Sequence, residues 1–119
     1  SASAWFVRRD LPPKTLSMAP RSDLFRPLVA QDPTNPLFRF SLGQELLKEG
    51  AAAEAIEHLQ LATASKADWM MPRILLGKAH LALGDRAAAR NAFDDALRLA
   101  VAQGHEEPEE ELRALLATL

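Results

Sequence analysis

Few side chains in this sequence are of a kind that does chemistry. Its 119 residues contain three histidines, His58, His80 and His105, and no cysteine. A thiolate nucleophile, a disulfide and a thiolate-bound metal are therefore all excluded. The histidines are too scattered along the chain to suggest a shared metal site. His80 is expected to pack, and His58 and His105 to lie at the surface. No glycine-rich phosphate loop, HExxH pair or GxSxG elbow is present. The densest group of titratable residues is Glu106, Glu107, Glu109, Glu110 and Glu111. Carboxylates can bind a hard cation, but at the start of a helix they complement its dipole, and that is the role expected here. Asp94 and Asp95 read as a solvated face. No catalytic residue, cofactor or metal is expected.

Composition bounds the remaining function classes. At 48% hydrophobic and 25% charged residues, with a net charge of −2, the chain has an ordinary globular balance and the length of one domain. Its charge is unevenly placed, +3 over residues 1–31 and −4 over residues 104–119. No helix-length basic stripe exists, so nucleic acid is not an expected partner. No run of about 18 apolar residues exists, so a spanning helix is not expected either. The lack of cysteine fits a reducing compartment, and a cytoplasmic location is the expectation. Pro12, Pro13 and Pro20 make residues 1–20 a flexible arm in this reading, with Met18 as an alternative start. Trp5-Phe6-Val7 precedes Arg8-Arg9, the wrong order for a secretory signal.

The elements that must position everything else announce themselves by a period. Shifting the chain by 34 residues superposes Arg39 on Arg73, Leu42 on Leu76, Gly43 on Gly77, Leu47 on Leu81 and Gly50 on Gly84. It also superposes Ala53 on Ala87, Ala55 on Ala89 and Ala62 on Ala96, and Leu59 meets Phe93. Small residues recur with small and large apolar residues with large, which marks a true internal repeat.

Each copy reads as helix, turn, helix. Leu37, Phe40, Leu42, Leu46 and Leu47 fall at helical spacing between Pro36 and Glu49. Pro36 suits a first turn, and Gly50 suits the left-handed residue after a helix end. Ala51–Lys66 carries a second amphipathic stripe through Ala55, Ile56, Leu59 and Ala62. The pattern returns over Met71–Leu83, with Pro72 opening and Gly84 closing, and again after the N-cap Asp85. Gly43 and Gly77 each cost about 1 kcal/mol of helix propensity, so close approach of a neighbouring helix is expected there.

These residues resemble tetratricopeptide repeats, whose period is also 34. The resemblance rests on Leu42-Gly43, Gly50, Ala55, Leu59 and Ala62, and on Leu76-Gly77, Gly84, Ala89, Phe93 and Ala96. Arg39 and Arg73 replace the family's tryptophan, Leu46 and His80 its tyrosine, and Ala67 and Val101 its closing proline. The implied fold is an all-α solenoid of about six helices over residues 21–119. It comprises a half-repeat helix (22–30, with Phe25 and Leu28 matching Leu59 and Ala62), repeats at 36–69 and 70–103, and a capping helix (108–119). Pro27 weakens the first of these helices unless it falls in the first turn. Leu112, Leu115, Leu116 and Leu119 form one stripe on the last.

The resemblance further implies that the first helix of each pair lines a concave groove. Its positions here are Leu37, Phe40, Gln44, Leu47 and Lys48, then Met71, Ile74, Lys78 and Leu81. Phe40 and Gln44 stand where the carboxylate-clamping subtype of the family has lysine and asparagine, so that chemistry is not expected. An apolar groove of this kind suits a peptide or amphipathic helix of another protein, in an adaptor, scaffold or co-chaperone-like role. The alternative is a structural module whose inner face mediates homodimerisation or permanent docking in a larger assembly. A third possibility is self-coverage, by Trp5-Phe6-Val7 or by the C-terminal stripe. Trp69, between the repeats, is expected to pack.

Overall fold

The computed structural model describes residues 19–119, and the first 18 residues of the expected arm lie outside it. Six helices follow one another: α1 (Ser22–Gln31), α2 (Pro36–Lys48), α3 (Ala52–Ser65), α4 (Met70–Ala82), α5 (Arg86–Gln103) and α6 (Glu106–Ala117). No strand occurs among the described residues. The all-α solenoid class expected from the periodicity is the class observed.

Local chemistry sets the helix ends. The Asn35 side chain accepts from the amides of Leu37 (2.9 Å) and Phe38 (3.4 Å), satisfying two orphan donors at the start of α2. Asp85 does the same for α5 through the Ala88 amide at 3.1 Å. The two helix pairs turn identically. The Ala51 amide donates to Leu46 O, and the Asp85 amide to His80 O, both at 2.9 Å. The glycines between, Gly50 and Gly84, hold φ of 84° and 79°, which a side chain would resist.

Two flanking helices differ from expectation. Helix α6 begins at Glu106, so Pro108 is its third residue and not its first. A proline in the first turn deprives the helix of no hydrogen bond, which permits the earlier start. Pro27 is the sixth residue of α1, past the first turn, yet the helix runs on to Gln31. Tertiary ties hold it: Ser22 Oγ donates to Glu49 (2.8 Å), and Arg26 makes a two-pronged bond with Glu54 at 2.6 and 3.2 Å. The Arg26 guanidinium accordingly holds the Glu54 carboxyl below its ordinary value.

Each helix packs mainly on its sequence neighbours, and α2 additionally touches α4. Leu42, Leu46, Ala55 and Leu59, with Val29 and Leu76, form one core. Ile74, Ala89, Phe93, Ala96 and Leu112 anchor the other. Close approach at the helical glycines is literal. A Cβ on Gly43 would stand 2.7 Å from Leu59 Cγ, and one on Gly77 would overlap the Phe93 ring. Hydrogen at these two positions is what lets α3 seat on α2 and α5 on α4.

Candidate functional site

Helices α2, α4 and α6 are the first members of successive pairs, and they repeat in register. Their seventh residues, Leu42, Leu76 and Leu112, are all buried. The second residues of α2 and α4 are Leu37, 58% exposed, and Met71, 41% exposed. Leu24, Leu61, Leu83 and Val101 are as open elsewhere on the surface, and it is the neighbouring aromatic side chains that set Leu37 and Met71 apart. Between them, the Phe40 ring meets that of Trp69 at 4.7 Å between centroids, tilted by 43°. Lys66 Nζ lies 5.4 Å from the centre of the Trp69 ring, within cation–π range.

Beside this strip lies an open cleft of about 570 Å³, lined by Lys66, Asp68, Trp69, Met70, Met71, Gln103 and His105. Gln103 Nε2 donates to the Asp68 carbonyl at 2.8 Å, so the α3–α4 connection is fastened to the end of α5. The cleft floor is thus fixed by packing and hydrogen bonding.

The nine residues singled out from the sequence separate into distinct environments. Leu37 and Met71 are exposed, and Phe40 and Gln44 are half-buried. Leu47 and Leu81 are half-buried because they pack against the two cores. Lys48 and Lys78 are exposed and paired, with Glu45 at 3.6 Å and Glu111 at 3.3 Å. Ile74 is a correction. At 4% exposure it belongs to the core with Met70, Phe93 and Leu112, because α6 closes over its end of α4. The accessible apolar surface is therefore narrower than the sequence suggested and lies toward the N-terminal ends of α2 and α4. Trp69 packs as expected, but it also lines the cleft, which the sequence reading missed. Its place just before α4, between two repeats, was the available signal.

Two further residues have roles that their sequence did not disclose. Arg39 Nε donates to the Pro33 carbonyl (2.8 Å), and Arg73 Nη2 to the Ala67 carbonyl (3.1 Å). Each arginine thus pins the connection that precedes its own helix. Arg39 Nη1 also donates to His58 Nδ1 at 2.9 Å, and Arg73 Nη1 lies 3.6 Å from Asp95. His58 is consequently not the surface residue expected, its side chain being 13% exposed and 3.8 Å from Glu54. Burial first, then the Arg39 charge, pushes its pKa below the ordinary value, outweighing Glu54. Asp95 likewise is half-buried and paired with Arg73 and Arg98, not part of a merely solvated face. Arg73 Nε is buried without a hydrogen-bond partner.

Among the described residues no three His, Asp or Glu side chains converge as a metal site would require. No described helix is long and apolar enough to cross a membrane. The arrangement is thus a half-open apolar surface on a rigid helical frame, rimmed by paired charges.

No protein-family model matches the chain. Two solved structures are among those that share its fold. One is PcrH in complex with the chaperone binding region of PopD, with a TM-score of 0.77 at 23% identity, covering 82% of this chain and 74% of PcrH. The other is the protein BPP2914 from Bordetella parapertussis, with a TM-score of 0.73 at 29% identity, covering 85% and 88%. In sequence, the TPR repeat-containing protein PA0015 of Pseudomonas aeruginosa is 37% identical over 92 residues, which span 77% of this chain and 88% of the relative. With the repeated Leu-Gly, Gly and Ala positions and the paired helices they join, this relationship establishes that the chain belongs to the TPR repeat-containing proteins.

Proposed function

We propose that this chain is a non-catalytic protein-interaction module. It takes an apolar peptide or amphipathic helix of another protein along the strip formed by Leu37, Phe40, Trp69 and Met71. The observation that carries the reading is that strip itself, two open aliphatic side chains flanking a fixed aromatic pair. Rigid, partly desolvated aromatic and methionine surface is the composition of binding hot spots and adaptable docking grooves. The PcrH structure, which holds a region of PopD on the same fold, supports the reading.

The test is capture from source-cell lysate by the wild type and by a Leu37→Ser/Met71→Ser variant, read by mass spectrometry. Both substitutions lie at exposed positions, so the variant should retain wild-type circular dichroism and melting. Proteins retained by the wild type and lost by the variant are the expected result. Equal retention by both would defeat the reading. Elution of the wild type as a dimer, reverting to monomer in the variant, would replace it with self-association.

A further inference from the structure

We infer that the segment bound in this groove carries an aspartate or glutamate next to its apolar anchors, placed to meet the ammonium group of Lys66. The inference rests on the groove reading above and adds to it the charge of the partner. It comes from two connections that share one backbone and differ in their side chains.

The α1–α2 and α3–α4 connections lie 34 residues apart and turn alike. The Asp32 amide donates to Leu28 O and the Lys66 amide to Ala62 O, both at 3.0 Å. The Asn35 amide donates to Asp32 O at 3.1 Å, and that of Trp69 to Lys66 O at 3.2 Å. In the first connection the polar side chains satisfy one another. Asn35 Nδ2 donates to Asp32 Oδ2 at 3.2 Å, while Asn35 Oδ1 caps α2. In the second, Lys66 takes the place of Asp32 and Trp69 that of Asn35. Helix α4 accordingly starts without a side-chain cap, which lowers its stability relative to a capped helix. What the connection gains is an aromatic ring beside Phe40, with a lysine ammonium within cation–π range of it. A local preference given up in this way marks a place under functional demand.

The ammonium is not consumed by the fold. Lys48 and Lys78, on the rim of the groove, are paired with Glu45 at 3.6 Å and Glu111 at 3.3 Å. Lys66, inside the cleft, forms no ion pair among the described residues and keeps to the Trp69 ring. Asp68 lines the same cleft but makes no ion pair with Lys66, and Gln103 spends its side-chain amide on the Asp68 carbonyl. The Asp68 charge weakens the attraction for an incoming acid without cancelling it, because a carboxylate touching Lys66 gains at contact distance, where Coulomb attraction is largest. An occupant anchored on Leu37, Phe40, Trp69 and Met71 thus has an unpaired cation beside its apolar contacts. An acidic side chain there adds electrostatic complementarity, which chiefly governs specificity and association rate. A lysine or arginine at the same place would meet a like charge. The arrangement is not the clamp for a terminal carboxylate, whose lysine and asparagine positions are held here by Phe40 and Gln44.

Random peptides displayed on phage, with their C-termini joined to the coat protein, offer only side-chain carboxylates to the immobilised full chain. Selection would run in parallel on wild type, Lys66→Glu and Leu37→Ser/Met71→Ser. All three positions are exposed, so each variant should keep wild-type circular dichroism. Wild type should enrich peptides that join large apolar residues to an aspartate or glutamate. A synthetic copy of a wild-type winner should bind Lys66→Glu about tenfold more weakly in fluorescence anisotropy. Exchanging its acid for lysine should reverse the order of the two chains, and high salt should shrink both differences. Equal acid content in the peptides enriched on wild type and on Lys66→Glu would overturn the inference. If such charge-indifferent peptides were still lost on Leu37→Ser/Met71→Ser, the groove would stand without the acidic residue. Enrichment indifferent to the Leu37 and Met71 changes, or no enrichment on any chain, would remove the groove reading and the inference with it.

Discussion

At the scale of single residues, two positions carry consequences that can be measured. Gly77→Ala gains about 1 kcal/mol of helix propensity, but its methyl would enter the space of the fully buried Phe93 ring. Overpacking of this kind costs about 1–3 kcal/mol. A net loss is therefore expected, visible as a lower urea midpoint. Gly43→Ala meets the more adaptable Leu59 and should come closer to balance. The second position is His58. Its folded pKa lies below the ordinary 6.5, so below that value the unfolded chain binds more protons than the native one. The stability held by neutral His58 is present above pH 6.5 and lost as the pH falls through the lower folded value. Urea midpoints measured across that window should decline in the wild type, and His58→Gln should flatten the decline. Glu54, also held low but from an ordinary 4.5, acts only in a more acidic window. The glycine contacts were legible in the sequence because Gly43 and Gly77 break helix propensity without ending a helix. The His58 environment was not, since Arg39, whose charge and contact shape it, comes from α2 and shares no sequence spacing with it.

Elements show the same division. The four helices of the two repeats declare themselves through periodic apolar residues bracketed by caps and glycines, and their ends fall within a residue or two of the sequence reading. The start of α6 was misread because a first-turn proline marks a region and not a single position. What the sequence could not give was how far α6 closes over α4. Leu112 is wholly buried in a core with Ile74 and Phe93, and this contact removes Ile74 from the groove. Leu112→Ala should cost about 2–5 kcal/mol. Hydrogen exchange should find the amides of α6 opening faster than those of α3, since among the described residues α6 packs mainly on α5, whereas α3 lies between α2 and α4.

At the scale of the whole molecule, helices that touch chiefly their sequence neighbours make a stack whose stability is a sum of local interfaces. That architecture was the most legible property of the chain, because a repeated unit states its rule twice. The candidate site was only half legible. Leu37, Phe40 and Met71 follow from their places in the repeat, whereas Trp69 enters through the connection between helices, and Leu47 and Leu81 are drawn into the cores by the packing of adjacent pairs. One-dimensional periodicity specifies which face of a helix looks inward, but not how closely the next helix covers it.

The register of α2, α4 and α6 also bears on how such a chain can change its length. Their eighth residues are Gly43, Gly77 and Arg113. The two glycines are the seats of α3 and α5, and Arg113 fills the corresponding place on α6 with a long side chain tied to Glu109. Copying the segment 36–103 in tandem would insert new pairs that each bring their own glycine seat, so the array can grow from within. A helix laid on α6 in the same manner would have to displace Arg113.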